Sequence, residues 1–253
     1  MTVRRVAVTV PSAVAEVARA WMLGLFQEGF EEIERDDVLE LAAYADSERE
    51  ERMRLRFGAV EATELPDDWQ ERWRQFHRPV RIGPLWIGPP WEAAPAGAVR
   101  VVIDPGRAFG TGAHATTRLC VELLLDLPQG SVVDIGCGSG VLSIAAARLG
   151  HRPVVAIDSD PAAVAATSEN AAANGVEIDV RLADALADEL PAADAALANA
   201  SFAAAHQLAS RLHVRFFVTS GYFALGRPEP PGFRHRERRE RDGWAADLFE
   251  RSQ

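Results

Sequence analysis

A glycine-rich turn, DIGCGSG at residues 134–140, has the clearest chemical potential in the sequence. Gly136 would let the backbone leave a strand sharply, and Gly138 would let it approach a ligand closely. A dinucleotide-binding turn reads Gly-x-Gly-x-x-Gly and directs a helix N-terminus at a pyrophosphate. The closer Gly-x-Gly-x-Gly spacing after Asp134 favours instead a ligand that carries an ammonium group and no pyrophosphate.

S-adenosylmethionine fits that description, because its methionine end carries an amine and a carboxylate. The turn therefore favours a methyl donor over NAD as the cofactor. Asp134, Gly136 and Gly138 are its candidate binding residues. An NAD-dependent dehydrogenase is a minor alternative.

Two acids after later strands are further candidates for the same site. Asp158 ends the next predicted strand, 22 residues after Gly136, where a carboxylate can accept two hydrogen bonds from ribose hydroxyls. Asp160 already supplies the N-cap of the following helix, which weakens the alternative that Asp158 is only a cap. Asp184 follows the third strand and is placed to accept from an adenine amino group; the alternative is a surface loop acid.

Asn199 ends the fourth predicted strand, in the segment LANAS. Ligands of doubly wound folds bind at the carboxyl ends of the strands, so we expect Asn199 to face the same cleft. Its side-chain carbonyl would hold an amine nucleophile in line with the sulfonium methyl. The alternative is a simple turn former, since Asn favours turns.

Alternating strands and helices are predicted from about residue 99 onward, and they would position these side chains. SVVDIG is apolar without alternation, as expected of a strand buried on both faces. Asp160 followed by Pro161 marks a helix start. Further strands are predicted at 153–158, 177–183, 195–199 and 215–220. The sequence predicts a doubly wound, seven-stranded, Rossmann-like α/β domain over 99–253, ending in a hairpin that turns at Asp242-Gly243.

Residues 1–60 differ in pattern and predict a small α+β domain for substrate recognition. A strand at 4–10 precedes a helix capped by Ser12. The apolar residues at helical spacing are Val14, Val17, Trp21 and Leu25. VLELAAYA is predicted as a strand, and so is RMRLRFGAV (52–60), because Arg alternates there with apolar residues.

Residues 61–98 are predicted to join the two domains through a helix and an extended segment. Trp69, Trp73 and Phe76 share one face of that helix, and core packing explains them better than a ligand platform does. PVRIGPLWIGPPW then breaks into short extended pieces punctuated by Pro and Gly.

Composition is that of a soluble globular protein, with 48% hydrophobic and 25% charged residues. The net charge of −10 argues against general nucleic-acid binding and favours a basic protein partner. Two cysteines are too few for a disulfide framework or a Cys-based zinc site, and we expect no metal. The sequence has no run of about 18 apolar residues and no signal-peptide core, so we expect a cytoplasmic protein without membrane contact.

DPGRAFGTGAHATTR, residues 104–118, lies between an apolar run and a helix-like run. With DIGCGSGVLSIAAARLG, AIDSDPAAV and ANA, it makes the sequence resemble the bacterial methyltransferases that modify large-ribosomal-subunit protein eleven. The resemblance covers 67–221 well and 1–60 in outline. It implies S-adenosylmethionine as the cofactor, with the Gly-Thr-Gly loop as a lid over it. The donor-binding positions that it implies are Thr117, Gly136, Asp158 and Asn199.

The resemblance also implies a reaction, the methylation of amino groups on a basic, lysine-bearing ribosomal protein that the N-terminal domain presents. Asn199 would orient the acceptor amine, and transfer would be a single in-line displacement. His114 is either a general base for the amine or a residue whose hydrogen bonds order the loop, because water can also remove the amine proton.

The sequence departs from the family after Asn199, where Ala200 and Ser201 stand in place of a bulky apolar residue. It is also shortened at FALGRPEPPGF, which predicts an oligomer contact on an uncovered sheet face. The Arg run of the final hairpin is interrupted by acids and predicts a solvated strand face. A different protein acceptor, a small-molecule acceptor and a donor-binding module without catalysis are therefore alternatives.

Overall fold

The computed structural model describes residues 4–26, 30–35, 37–64, 78–104 and 112–252. The chain divides into two compact units, Met1–Phe76 and His77–Gln253. The predicted helix that carries Trp69, Trp73 and Phe76 lies outside the described residues.

The first unit contains an antiparallel sheet and two described helices. Its elements are β1 Arg4–Pro11, α1 Ala15–Leu25, β2 Glu31–Arg35, β3 Val38–Ala45, α2 Ser47–Phe57 and β4 Glu61–Glu64. The four strands lie in the order β2-β3-β1-β4, which with this chain order is the split-βαβ arrangement. The predicted α+β character of this region is confirmed.

The sheet of the first unit has one apolar and one polar face, as the alternation along its strands dictates. Val6 and Val8 of β1 pack with α1 and α2 in the core. On the other face, Arg5 pairs with Glu31 at 2.8 Å and Glu40 at 3.0 Å. Pairing of opposite charges thus occupies the face of the sheet opposite the apolar core.

The start of α1 differs from the prediction. A 3-10 turn occupies Ser12–Val14, so Ser12 does not cap the α-helix, which begins at Ala15. Val14 and Val17 are exposed, whereas the buried positions of α1 are Ala15, Ala18, Met22 and Leu25. The tighter turn has three residues per turn and changes which positions face the sheet.

The prediction of a strand at 52–60 is wrong, because most of this segment belongs to α2. Asp46 caps the helix, and Glu50 binds Arg54 one turn later at 2.7 Å. Gly58 ends the helix with a φ of +81°. These helix signals are local and outweigh the alternation of Arg with apolar residues.

The second unit contains two sheets and four described helices. Its elements are β5 Val80–Ile82, β6 Leu85–Gly88, β7 Val99–Val102, α3 Ala115–Leu124, β8 Val132–Ile135, α4 Val141–Arg148, β9 Val154–Asp158, α5 Pro161–Asn174, β10 Asp179–Leu182, β11 Ala195–Asn199, α6 Phe202–Ala209, β12 Phe216–Phe223, β13 Phe233–Arg241 and β14 Trp244–Arg251. The large sheet has seven strands in the order β10-β9-β8-β11-β12-β14-β13. The strands from β10 to β12 are parallel, and β14 is antiparallel to both β12 and β13. The predicted doubly wound α/β sheet is confirmed.

Apolar residues cover both faces of the large sheet. Val132 of β8 packs on the side of α3 and α4, and its neighbour Val133 packs on the side of α6. The small sheet, β5-β6-β7, contributes Leu85 and Ile87 to the apolar cluster that contains Val132. Two strands inside the predicted joining segment 61–98 therefore belong to the core of the second unit.

The final hairpin turns at Asp242-Gly243 as predicted, with left-handed φ values of +50° and +77°. The prediction of a solvated strand face is wrong for Arg238, whose side chain is only 9% exposed. Its guanidinium pairs with Asp247 at 2.9 Å and donates to the carbonyl of Gly226 at 3.0 Å. Asp247 on β14 is buried and requires a cationic partner, which β13 supplies.

Among the described residues, no helix is long and apolar enough to cross a lipid bilayer. The same residues contain no group of three or more His, Cys, Asp or Glu side chains that could hold a metal ion.

Candidate functional site

The carboxyl ends of β8, β9 and β11 meet at one edge of the large sheet, because these strands are parallel neighbours. The strand order reverses at β8, which makes this edge the topological switch point where α/β proteins bind ligands. The glycine turn follows β8, Asp158 ends β9 and Asn199 ends β11. Three of the sequence-predicted groups therefore lie at one edge of the sheet.

The glycines of the turn adopt left-handed φ values, +71° at Gly136, +56° at Gly138 and +79° at Gly140. A side chain at Gly140 would place its Cβ 2.8 Å from Cγ2 of Thr167, so this glycine allows α4 and α5 to pack together. A Cβ at Gly136 would meet no atom of the described residues within 4 Å. Gly136 therefore serves the backbone conformation of the turn.

Asp158 braces the glycine turn through both carboxylate oxygens. Oδ2 accepts a hydrogen bond from the backbone N–H of Gly138 at 3.0 Å, and Oδ1 accepts one from Asp160 at 3.0 Å. Asp160 caps α5, as predicted, by accepting from Ala162 at 2.8 Å. A carboxylate has about four lone-pair positions, so Asp158 keeps acceptor capacity beyond these two bonds.

Asp134 is buried, with 1% of its surface exposed. Its Oδ2 accepts from the backbone N–H of Ser143 at 3.0 Å and from the Ser143 hydroxyl at 2.5 Å. Burial raises the pKa of the Asp134 carboxyl to about 6; the hydrogen bonds from Ser143 oppose this shift and the charge of Asp158 adds to it. Asp134 thus ties β8 to the first turn of α4, and the structure gives it a supporting position inside the fold.

Asn199 is held by two threonines at the start of α3. Its Nδ2 donates to Oγ1 of Thr116 at 3.1 Å and to Oγ1 of Thr117 at 3.3 Å. Both threonines are buried. The amide nitrogen donates to these two hydroxyls. The carbonyl oxygen is the acceptor of the Asn199 side chain and can bind an N–H group of a ligand.

His114 is the N-cap of α3. Its Nδ1 accepts from the backbone N–H of Thr116 at 3.4 Å and lies 2.8 Å from the Thr116 hydroxyl. The imidazole also meets the ring of Trp244 at a centroid distance of 5.0 Å. Burial lowers the pKa of His114, which favours a neutral ring at neutral pH. His114, Thr116 and Asn199 therefore form a continuous hydrogen-bonded chain.

Thr116 is a residue that sequence reasoning missed, although it named the neighbouring Thr117. Its hydroxyl joins Asn199 to His114, although Thr116 and Asn199 are 83 residues apart in the sequence. The pair of threonines after a capping histidine was the available signal. The contact with Asn199 depends on where α3 lies against β11, which no local pattern reveals.

Gly221 is a second missed residue. It has a φ of +99°, and a Cβ there would lie 2.0 Å from the carbonyl oxygen of Ala200. The register of β12 shifts between Ser220 and Tyr222, and Ala200 donates to the carbonyl of Ser220 at 3.0 Å. Only glycine lets β12 lie this close to the segment after Asn199, and a glycine inside a strand was the signal for it.

Asp184 is exposed and binds within its own turn. Its Oδ1 accepts from the backbone N–H of Leu186 at 2.8 Å, and its own N–H donates to Asp188 at 2.8 Å. Residues 105–111, which include Gly110 of the predicted lid, lie outside the described residues.

Comparison with known proteins places the chain beside one family. The family model described as "Ribosomal protein L11 methyltransferase (PrmA)" matches residues 22–226, which include His114, Asp158 and Asn199. The ribosomal protein L11 methyltransferase of Symbiobacterium thermophilum is 50% identical over 138 residues, which cover 51% of this chain and 45% of that protein. Its counterpart from Haemophilus influenzae strain PittEE is 48% identical over 139 residues, which cover 52% of this chain and 46% of that protein. The chain thus spans about half the length of the curated relatives that it matches.

A solved structure that carries the same family's name is also similar to this chain. The ribosomal protein L11 methylase from Lactobacillus delbrueckii subsp. bulgaricus superposes with a TM-score of 0.62 at 28% identity. The superposition covers 70% of this chain and 100% of that chain.

Proposed function

The chain belongs to the ribosomal protein L11 methyltransferase family, and from this premise we propose that it transfers a methyl group from S-adenosylmethionine to an amino group of a ribosomal protein. The observation that carries the proposal is the Asn199 amide, held by two buried threonine hydroxyls at the switch point of the sheet. The net charge of −10 supports a basic, lysine-bearing acceptor.

The residues at the switch point fit a sulfonium nucleoside. Within the described part of the chain, no atom lies within 4 Å of a Cβ built on Gly136, and Asp158 keeps lone pairs for the ribose hydroxyls. The Thr117 hydroxyl, which accepts from Asn199, can still donate to the methionine end. Asp184 is the proposed partner of the adenine amino group, and Gly138 shapes the turn. When bound, S-adenosylmethionine supplies a methyl group on a positively charged sulfur.

Asn199 is the proposed positioning group for the acceptor. Its carbonyl oxygen would accept a hydrogen bond from the acceptor N–H and so direct the nitrogen lone pair. The amine must be neutral to attack, and a lysine amine with a pKa near 10.4 is mostly protonated at neutral pH. Water takes the proton in this proposal, so Asn199 needs only to hold the neutral amine.

His114 orders the start of α3 in this proposal and does not act as the general base. The Thr116 amide donates to Nδ1, so a neutral ring carries its proton on Nε2. The Nδ1 lone pair is then engaged, and removal of a proton from the acceptor would require breaking the cap. The contacts of Nδ1 therefore support a role in holding Thr116, and through it Asn199.

Calorimetry of donor binding tests the cofactor assignment. Asp158→Ala should weaken the affinity for S-adenosylmethionine at least about tenfold, because hydrogen bonds to a charged group contribute about 1.5–3 kcal/mol. Asp179→Ala is a matched control, since Asp179 is an exposed acid on β10 that pairs with Arg181. Unchanged affinity in Asp158→Ala would refute the assignment of the donor site.

Mass spectrometry of intact acceptor proteins tests the acceptor. Purified ribosomal protein L11 incubated with the enzyme and S-adenosylmethionine should gain whole methyl groups, and Asn199→Ala should slow this strongly. If the enzyme binds the donor but leaves L11 unmodified, the acceptor is wrong. A cell extract with labelled donor would then reveal the protein or small molecule that is modified.

A further inference from the structure

An open pocket of about 680 Å³ lies at the edge of the large sheet that is opposite to the candidate site. Along β12, Asn199 is paired with Ser220. Glu250 of β14 is paired with Phe216, which lies earlier in β12 by roughly 13 Å along the strand. The residues that line the pocket come from the loop before β12 and from the end of β14; they are His213, Val214, Arg215, Glu250, Arg251 and Ser252.

Three arginines converge on Glu250, which is buried. Nε and Nη2 of Arg215 donate to its Oε1 at 3.1 and 3.0 Å. Arg234 donates to Oε2 at 2.8 Å, and Nη1 of Arg236 lies 3.2 Å from the same oxygen. The hydrogen bonds from Arg234 and Arg215 lower the pKa of Glu250, so its carboxylate is charged at neutral pH. Three positive charges therefore surround one negative charge.

Arg251 brings a fourth cation to the pocket. Its Nε donates to the carbonyl of Val214 at 2.9 Å, and its Nη2 donates to the carbonyl of Leu212. These partners are neutral, so they orient the guanidinium without cancelling its charge. The four arginines and Glu250 together carry an excess of three positive charges.

Aromatic rings also hold two of the arginines. Cζ of Arg215 lies 4.8 Å from the ring centroid of Phe216, and Cζ of Arg251 lies 4.5 Å from that of Phe233. The side chain of Arg215 is nevertheless 68% exposed. A guanidinium has five N–H groups, so Arg215 keeps donors beyond the two that bind Glu250. Cations that are fixed in advance lose little conformational freedom when they bind an anion.

We propose that this pocket, here called the arginine pocket, binds the phosphate group of a small molecule, supplied as free phosphate or as a phosphate ester. The planar forks of guanidinium groups match the oxygens of a phosphate. A phosphate monoester carries a charge of about −1.5 to −2 at pH 7, which suits an excess of positive charge. The volume of the pocket lies within the range of about 300–1,000 Å³ that is typical of small-molecule sites.

Two other kinds of anion fit the arginine pocket less well. A carboxylate ligand carries a single negative charge, and Glu250 already places one carboxylate among the arginines. A nucleic-acid backbone extends beyond a pocket, and the net charge of −10 on the chain would repel it. The inference concerns a site apart from methyl transfer and does not depend on the proposed function.

Calorimetric titration with phenyl phosphate and with inorganic phosphate tests the proposal. The wild-type protein should bind at least one of these probes saturably at an ionic strength of about 0.15 M. Arg215→Gln and Arg251→Gln should each weaken that binding about tenfold, because each removes charge-assisted hydrogen bonds to the phosphate. Arg181→Gln should bind like the wild type and is the matched control, since Arg181 is an exposed arginine on β10 that pairs with Asp179. Tighter binding of phenyl phosphate would identify the ligand as an ester, and tighter binding of inorganic phosphate would identify it as the free ion.

Four results would contradict the proposal. Absence of saturable binding of both probes would overturn it, and so would unchanged affinity in both Arg215→Gln and Arg251→Gln. An equal loss in Arg181→Gln would show that binding follows only the net charge of the chain. Binding of a short single-stranded RNA that depends on Arg215, without binding of either probe, would assign the arginines to a nucleic acid. Affinity for S-adenosylmethionine should be unchanged in all three variants, and a parallel loss would overturn the separation of the arginine pocket from the donor site.

Discussion

Glu50 in the first unit and Asp134 in the second are both buried carboxylates, yet their pKa values shift in opposite directions. Glu50 accepts hydrogen bonds from Arg54 and Arg4, and these cations lower its pKa. Asp134 accepts from the neutral hydroxyl and amide of Ser143, and burial raises its pKa to about 6. At neutral pH the first charge stabilises its unit, and the second destabilises its unit.

The two sheets also differ in where their polar and charged side chains lie. The antiparallel sheet of the first unit has a polar face, on which Arg5 neutralises Glu31 and Glu40. The parallel strands of the second unit are buried on both faces, so polar side chains collect where the strands end, as Asp158 and Asn199 do. The first unit therefore pairs its charges on the outer face of its sheet, whereas the second retains polar groups at a common edge, where they can bind a ligand.

The largest effect is expected where two segments of the second unit approach closely. Gly221→Ala should lower the free energy of unfolding by about 4 kcal/mol, because the added Cβ would lie 2.0 Å from a backbone oxygen. Gly175→Ala should cost only about 1 kcal/mol, since Gly175 also has a left-handed φ, +60°, but its Cβ would meet no described atom within 4 Å. Urea unfolding measures both, and equal losses would show that backbone conformation alone requires glycine at Gly221.

Asp134→Asn should test the contrast between Asp134, whose pKa is raised, and Glu50, whose pKa is lowered. A raised pKa means that the stability contributed by this group is present below about pH 4 and is lost as the pH rises through about 6. Asn keeps an acceptor for Ser143 without the charge, so the variant should be more stable than the wild type at pH 7.5, by up to about 3 kcal/mol. Denaturant unfolding at pH 4 and 7.5 measures the difference, and a less stable variant at pH 7.5 would contradict it.

Glu50→Gln should show the opposite pH dependence. The pKa of Glu50 is lowered, so its contribution is present above its usual value of about 4.3 and is lost as the pH falls through the lowered one. The variant should be about 1 kcal/mol less stable at pH 7 and approach the wild type in acid. Thermal unfolding followed across this pH range is the measurement. A constant difference at every pH would assign the effect to packing.

Thr116→Val should have a small effect on stability and a measurable effect on the site. It removes the hydroxyl between His114 and Asn199, at a cost of about 1 kcal/mol, and should slow methyl transfer about tenfold. Thr116→Ser keeps the hydroxyl and should retain most of the rate. Single-turnover kinetics with saturating donor distinguish the two, and equal rates would show that the hydrogen-bonded chain has no part in catalysis.

Much of the second unit could be predicted because its signals are local. The apolar run at β8, the Asp160-Pro161 helix start and the Asp242-Gly243 turn each depend on a few adjacent residues. Signals of the same kind mark α2, in the cap at Asp46 and the Glu50–Arg54 pair, and they outweigh the alternation of Arg with apolar residues. The helical state of residues 52–57 therefore follows from local interactions.

The amino-acid sequence by itself determined the α/β class of the second unit, the left-handed glycine turn, and the positions of Asp158 and Asn199 at strand ends. The tertiary structure alone decided the partners: Thr116 for Asn199, Ala200 for Gly221 and Ser143 for Asp134. Hydrophobic period and turn chemistry act over a few residues, so a sequence displays them. A hydrogen bond or a close contact between distant segments depends on how strands and helices pack, and that is settled only when the chain folds.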